Sequence, residues 1–161
     1  ITYSRLAPWA SISMGQFKSP FSLELNTPCQ GLHTINRSMV VNQLANPDRD
    51  RGVMINGKYE KYFKYALAFT NGRGRDNEED NANKALAFRA VLSPVEFIRL
   101  GVGYKQWKDP ARDDNGNINP AVDEDERTRM GFDFEFDYSN ILVQAEYITG
   151  EDTGSSPLYG G

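Results

Sequence analysis

Apolar and polar residues alternate with period two along most of this chain, and that alternation limits the fold more than any other feature. Phe63-Lys64-Tyr65-Ala66-Leu67-Ala68-Phe69-Thr70 shows it, as do Ile98-Arg99-Leu100-Gly101-Val102-Gly103-Tyr104-Lys105 and Met130-Gly131-Phe132-Asp133-Phe134-Glu135-Phe136-Asp137-Tyr138. A helix would scatter Asp133, Glu135 and Asp137 around its circumference. A strand places all three carboxylates on one side and the aromatic rings on the other. The pattern predicts eight strands, at about 1–6, 10–17, 51–60, 62–71, 83–93, 97–108, 127–138 and 140–151.

The connections carry a second regularity. Tight turns at Ala7-Pro8-Trp9, near Lys61, at Pro94-Val95-Glu96 and at Ser139-Asn140 alternate with long connections at 18–50, 72–82, 109–126 and the Gly/Ser-rich end of the chain. In an up-and-down meander the odd connections lie at one end of the sheet and the even ones at the other. An outer-membrane barrel has short periplasmic turns and longer external loops, which sorts connections in this way. Greek-key crossings in a soluble sandwich give no such reason. The predicted fold class is therefore all-β, an antiparallel up-and-down transmembrane β-barrel, with residues 1–161 in a single barrel domain that includes the long loop 18–50.

One face of strands three to eight is apolar: Val53, Ile55, Gly57, Tyr59; Phe63, Tyr65, Leu67, Phe69; Leu86, Phe88, Ala90, Leu92; Ile98, Leu100, Val102, Tyr104; Met130, Phe132, Phe134, Phe136, Tyr138; Ile141, Val143, Ala145, Tyr147. No charge interrupts it. Either lipid or a second protein layer would account for that. Two details favour lipid. Tyr59, Tyr104, Tyr138 and Tyr147 are placed near strand ends, where an aromatic girdle meets headgroups. Strands of about 10–12 residues, tilted about 45°, also span an apolar band of roughly 25 Å. The opposite face carries Lys58, Glu60, Lys64, Arg89, Arg99, Lys105, Arg129, Asp133, Glu135, Asp137, Gln144 and Glu146, with Gly101, Gly103 and Gly131 between them. Bases dominate strands three to six and acids dominate seven and eight. These are either the walls of a watery lumen that biases ion entry or a solvated face with ordinary cross-strand pairs.

Composition closes off other classes. There are 22 acidic and 18 basic residues, a net charge of -4, so no electrostatic footprint for nucleic acid exists. The mean hydropathy of -0.59 and the lack of a long apolar run exclude a transmembrane helix. A single cysteine, Cys29, excludes an internal disulfide, and neither a CxxC pair nor more than one histidine is present for a metal site. Cys29 and His33 sit in a Pro/Gly-punctuated loop and read as loop residues rather than as a catalytic thiol pair. Asp113-Asp114-Asn115-Gly116-Asn117 fails as a calcium loop, because aligning Gly116 puts Ala111 and Val122 at ligand positions. Gly72-Arg73-Gly74 is too short for a phosphate-binding loop. Asp133 and Glu135 share a face at a spacing a glycosidase could use, but nothing nearby suggests a sugar cleft. No catalytic residue, metal or cofactor is expected. The acids Glu78, Glu79, Asp80, Asp123, Glu124, Asp125 and Glu126 read as solvated loop residues, or as holders of divalent ions shared with lipopolysaccharide phosphates.

Several segments resemble one family. Gly15-Gln16-Phe17-Lys18-Ser19-Pro20-Phe21-Ser22-Leu23-Glu24 is similar to the GKFKxPFGLE segment of the phosphate-selective porin O/P family. Asn36-Arg37-Ser38-Met39-Val40-Val41-Asn42, followed by Asp48-Arg49-Asp50-Arg51-Gly52-Val53-Met54, resembles its ERSLPVNAF…GRDIGVML. Tyr65-Ala66-Leu67-Ala68-Phe69-Thr70-Asn71-Gly72 resembles YALGVFNG, and Gln144-Ala145-Glu146-Tyr147 resembles LQAEY. The matches run through most of the chain in family order. The resemblance implies an outer-membrane barrel of about sixteen strands, a homotrimer with passive pores, of which this chain is a central piece of about half. It implies Gram-negative outer-membrane localisation, lipid and lipopolysaccharide as surroundings, small hydrophilic solutes or anions as cargo, and no enzymatic step. It also implies that the long loop folds into the pore. Lys18, Arg37, Arg49 and Arg51 are then constriction candidates, although Asp48-Arg49-Asp50-Arg51 also reads as a self-paired anchor for the next strand. Lys58, Lys64, Arg89, Arg99, Lys105, Arg129, Asp133, Glu135, Asp137 and Glu146 are the expected pore lining. The chain departs from the family pattern at Asn36, where an acid is usual, and a dense arginine ladder is not apparent. The reading from another class is a soluble β-sandwich binding module of carbohydrate type.

Overall fold

The computed structural model describes residues 2–7, 9–32, 36–45, 48–72, 84–109 and 125–153. They form eight strands: β1 (Thr2–Ala7), β2 (Ala10–Lys18), β3 (Arg49–Tyr59), β4 (Phe63–Thr70), β5 (Ala85–Val95), β6 (Ile98–Asp109), β7 (Asp125–Tyr138) and β8 (Ile141–Thr153). All belong to one sheet in the order β1-β2-β3-β4-β5-β6-β7-β8, and every neighbouring pair is antiparallel. The sheet is open, with β1 and β8 at its edges, as expected of part of an up-and-down barrel wall. Two packed sheets, as a sandwich requires, do not form among the described residues, and that alternative falls. Among the described residues no helix is long and apolar enough to cross a membrane, which says nothing of strands.

Strand length follows from the unbroken alternation. β6, β7 and β8 run 12, 14 and 13 residues. At about 3.3 Å per residue and a tilt near 45°, a 12-residue strand rises about 28 Å, enough for the apolar band of an outer membrane. The short connections are as tight as the sequence implies: Glu60–Tyr62 joins β3 to β4, Glu96–Phe97 joins β5 to β6, and Ser139–Asn140 joins β7 to β8. Glu60 (φ 50°) and Ser139 (φ 57°) supply the left-handed backbone that lets so few residues reverse the chain. β5 extends past Pro94, where a turn is expected from the sequence. The pairing with β6 shifts by one position between Leu92 and Val95, so the imino acid, lacking an N–H, sits in a bulge.

The two faces differ as the sequence predicts, but their solvation is inverted relative to a water-soluble protein. Phe69, Leu92, Leu100, Val102, Met130, Phe132, Phe134 and Val143 are exposed, with Phe132 at 54%. Arg89, Lys105, Arg129, Asp133 and Glu135 are buried, with Lys105 at 2%. The connection between β2 and β3 folds back over the charged face, where its carbonyls meet Arg89 and Lys105. That connection contains α1 (Leu23–Asn26), a 3-10 turn at Cys29–Gly31, and α2 (Met39–Leu44). Ser22 caps α1 by accepting from Leu25 N, and Ser38 caps α2 by accepting from Val41 N. The small apolar core lies between this loop and the sheet: Phe21, Leu25, Val41, Ala45 and Ile148, with Leu44 packed against them.

Aromatic residues gather at the short-turn end. Phe97 packs edge-on against Phe136 (6.0 Å between centroids) and Tyr138 (5.5 Å), while Tyr59 and Tyr62 stand exposed at the β3–β4 turn. Tyr59 and Tyr138 are at strand ends as expected. Tyr104 and Tyr147 are not: each lies near the middle of its strand, because β6 and β8 continue beyond the apolar stretch.

Candidate functional site

The pairing register turns the charged face into rows. One row reads Lys58, Lys64, Val91, Gly101, Asp133, Glu146 across β3 to β8. The next reads Asn56, Ala66, Arg89, Gly103, Gly131, Ile148, and the next Met54, Ala68, Ala87, Lys105, Arg129, Gly150. Charge therefore runs from basic on β3–β4 to acidic on β7–β8 within a single row. Ten of the residues expected to line a lumen share this face: Lys58, Lys64, Arg89, Arg99, Lys105, Arg129, Asp133, Glu135, Asp137 and Glu146.

Their environments differ. On the acidic side most carboxylates are engaged. Arg89 Nη1 lies 2.7 Å from Asp133 Oδ2, both side chains almost fully buried. Arg99 pairs with Glu135, which also accepts from Gln144, and reaches towards the exposed Asp137 at 3.9 Å. Arg129 lies 2.5 Å from Asp152 and donates to the carbonyls of Thr128 and Glu151. Trp107, buried at 4%, takes Lys105 Nζ at 4.9 Å and the Arg129 guanidinium at 5.2 Å from its ring centroid. Glu146 accepts from Leu23 N (3.0 Å) and Glu24 N (3.2 Å).

On the basic side Lys58 and Lys64 face each other in register and are exposed, with no carboxylate bonded to either among the described residues. They border a cavity of about 640 Å³ between the wall and the loop. Ser11, Phe17, Lys18, Asn56 and Arg89 line it from the wall, and Pro20 and Asn26 from the loop.

The four constriction candidates separate. Lys18 is at the base of the loop, where its ammonium donates to the carbonyls of Leu25 (3.1 Å) and Thr27 (3.5 Å). Arg37 is half-buried in the loop just ahead of α2. Arg49 stands opposite Lys18 where the chain re-enters the sheet. Arg51 shares the parity of Val53 and is exposed, so the register carries it to the apolar side rather than towards Arg89 and Lys105. Asp50 between them is the anchor: buried at 3%, it accepts from Arg51 N (2.8 Å) and Gly72 N (2.5 Å). His33, the acidic runs at 78–80 and 123–124, and the 113–117 segment lie outside the described residues.

Side chains of β5, β6 and β8 hold the connection against the charged face: Arg89 Nη1 donates to Phe21 O (2.9 Å), Lys105 Nζ donates to Ala45 O (3.1 Å), and the Glu146 carboxylate accepts from the Leu23 and Glu24 amides. Within the loop, Ser38 N donates to Glu24 Oε1 (2.8 Å), and Ser19 N donates to Asp48 O (2.9 Å) at its base. The sequence did not mark Phe21, Asp50 or Trp107 as functional. The glycines that interrupt the charged rows were the available signal, since each leaves room for a neighbour. Among the described residues the arrangement offers a polar surface, a loop lying over it and a cavity bordered by lysines. Compared with curated proteins and with solved structures, the chain finds no significant match. The profile of one family, described as phosphate-selective porin O and P, matches residues 1–159.

Proposed function

This chain belongs to the phosphate-selective porin O and P family, an outer-membrane porin family, and from that premise we propose that it forms the wall and constriction of a passive, water-filled channel for small hydrophilic solutes, with a preference for anions such as phosphate. The observation that carries the reading is the inverted solvation of the sheet. Apolar side chains such as Phe132 and Leu100 are bare on one face, and charged side chains are gathered on the other under a loop. Hydrocarbon outside and water inside satisfies both faces at once; a charge on the lipid side would cost about 2–4 kcal/mol near the midplane.

The anion preference is supported by which charges are left open rather than by net charge. Asp133 and Glu135 are each matched by an arginine, and Glu146 by two amides. Lys58 and Lys64 remain exposed beside the cavity, and like charges opposed across two strands repel unless an anion comes between them. The surroundings we assign are a Gram-negative outer membrane with its lipid and lipopolysaccharide, and a homotrimeric assembly. The chemistry is transport down a gradient, with no bond made or broken.

Planar-bilayer recording of the assembled porin tests this. The expected result is unit conductance steps and, in asymmetric salt, a reversal potential of the sign given by anion passage. Lys58→Glu with Lys64→Glu should move that potential towards cations. A cation-preferring wild-type pore would defeat the anion assignment and leave the channel standing; no conductance at all would defeat both.

A further inference from the structure

We propose that Phe21, seated in a slot made by Gly103 and Gly131 and locked there by the Arg89–Asp133 pair, is the latch that fixes the β2–β3 loop against the wall and so sets the aperture of the pore. The inference rests on the channel reading above and assigns positioning roles to residues that would otherwise be counted as selectivity charges.

The wall is built to receive this one side chain. Gly103 and Gly131 are register partners on β6 and β7. A Cβ at Gly103 would stand 2.3 Å from Phe21 O, closer than real atoms approach, and one at Gly131 would touch the Phe21 ring at 3.4 Å. Phe21 is wholly buried in the slot. Its carbonyl receives Arg89 Nη1, and the same nitrogen lies 2.7 Å from Asp133. Asp133 in turn occupies the space over Gly101, where a Cβ would fall 2.3 Å from the carboxylate oxygens. Three glycines on two paired strands thus admit three different tenants: a carboxylate, a backbone turn and an aromatic ring.

The other two tethers do not select a loop register. Glu146 binds the amides of Leu23 and Glu24, and Lys105 binds the carbonyl of Ala45. Backbone groups of that kind are offered by any residue. Phe21 is the loop side chain that enters the glycine slot, alongside the packing of Leu25 and Val41 near Ile148, so it determines which part of the loop is pinned and how far the loop stands off the wall. Arg89 and Asp133, nearly closed to solvent, act on passing ions through the loop they hold, Arg89 in addition bordering the cavity.

The test compares single-channel conductance and the size cut-off for neutral sugars in the assembled porin and three variants. Phe21→Ala removes the knob and touches no strand residue, so the barrel still assembles; Gly103→Ala blocks the slot from the wall side; Asp133→Asn unlocks Arg89. Folded, heat-modifiable mobility on gels is followed in parallel. The expected result is a higher and noisier unit conductance and loss of the wild-type size cut-off in all three, with folded mobility retained by Phe21→Ala. Phe21→Leu, which keeps a buried apolar knob, should restore most of the cut-off. Wild-type conductance and cut-off in Phe21→Ala would overturn the latch while leaving the channel reading intact. Absence of pores in the wild type itself would overturn both.

Discussion

Asp133 shows how much a single residue on this wall depends on its neighbours. Its carboxylate is buried, faces Arg89 at 2.7 Å and fills the place that a side chain at position 101 would need. Gly101→Ala should therefore expel it and leave Arg89 buried without its partner, a loss of about 3–5 kcal/mol that urea unfolding in detergent would register. The contrasting case is Lys61 and Glu96, in the turns at the short-connection end, 2.7 Å apart and largely exposed. Their mutual hydrogen bond, then their charge attraction, holds the Glu96 carboxyl below its usual 4.5 and the Lys61 ammonium above its usual 10.5. The signs fix the window. Glu96 contributes above its unfolded pKa, and the contribution is lost as pH falls through the lower folded value. Lys61 contributes below 10.5 and loses it as pH rises through the higher folded value. Across neutral pH the pair is constant. A carboxyl titration by NMR should show Glu96 returning towards 4.5 in Lys61→Met; an unchanged midpoint would refute the pairing.

At the scale of elements, the strands and their sorting into short and long connections were legible in the sequence, because both depend on local pattern. Alternation in Met130–Tyr138 gives β7 its two faces, and Ser139–Asn140 gives its turn, with no knowledge of the rest of the chain. The role of the loop was legible only by resemblance, and its contacts were not legible at all. Glu146 reaches Leu23 and Glu24 from more than a hundred positions away, and Lys105 on β6 reaches Ala45 across 60 positions. Nothing local to Glu146 separates a residue that faces open water from one that grips a backbone. Arg51 is a different case: β3 begins at Arg49, two residues before the predicted start at 51, and strand parity carries Arg51 to the side of Val53. The element that most needs its tether is α1, only four residues long and too short to hold itself. Glu146→Ala removes the acceptor of two amides, each charge-assisted bond being worth about 1.5–3 kcal/mol. Limited proteolysis between residues 19 and 48 should then be much faster than in the wild type, with the strands still protected.

For the whole molecule, the proposed function rests on one arrangement for transport, loop placement and charge burial alike: a single sheet whose apolar face would meet hydrocarbon and whose charged face would meet water and the loop. A change of charge should have different consequences on the two sides. Phe132→Arg, on the apolar face, is expected to cost about 2–4 kcal/mol and to impair membrane assembly. Lys64→Ala, beside the cavity, should alter ion preference and leave assembly unchanged. The most direct measurement is paramagnetic accessibility of single nitroxide labels in the membrane-embedded porin, on a Cys29→Ser background. Labels at Leu100→Cys and Phe132→Cys are expected to relax with dissolved oxygen and to be shielded from a water-soluble nickel chelate, and labels at Lys58→Cys and Lys64→Cys to do the reverse. Chelate access at positions 100 and 132 equal to that at 58 and 64 would contradict the lipid-facing assignment, and with it the channel.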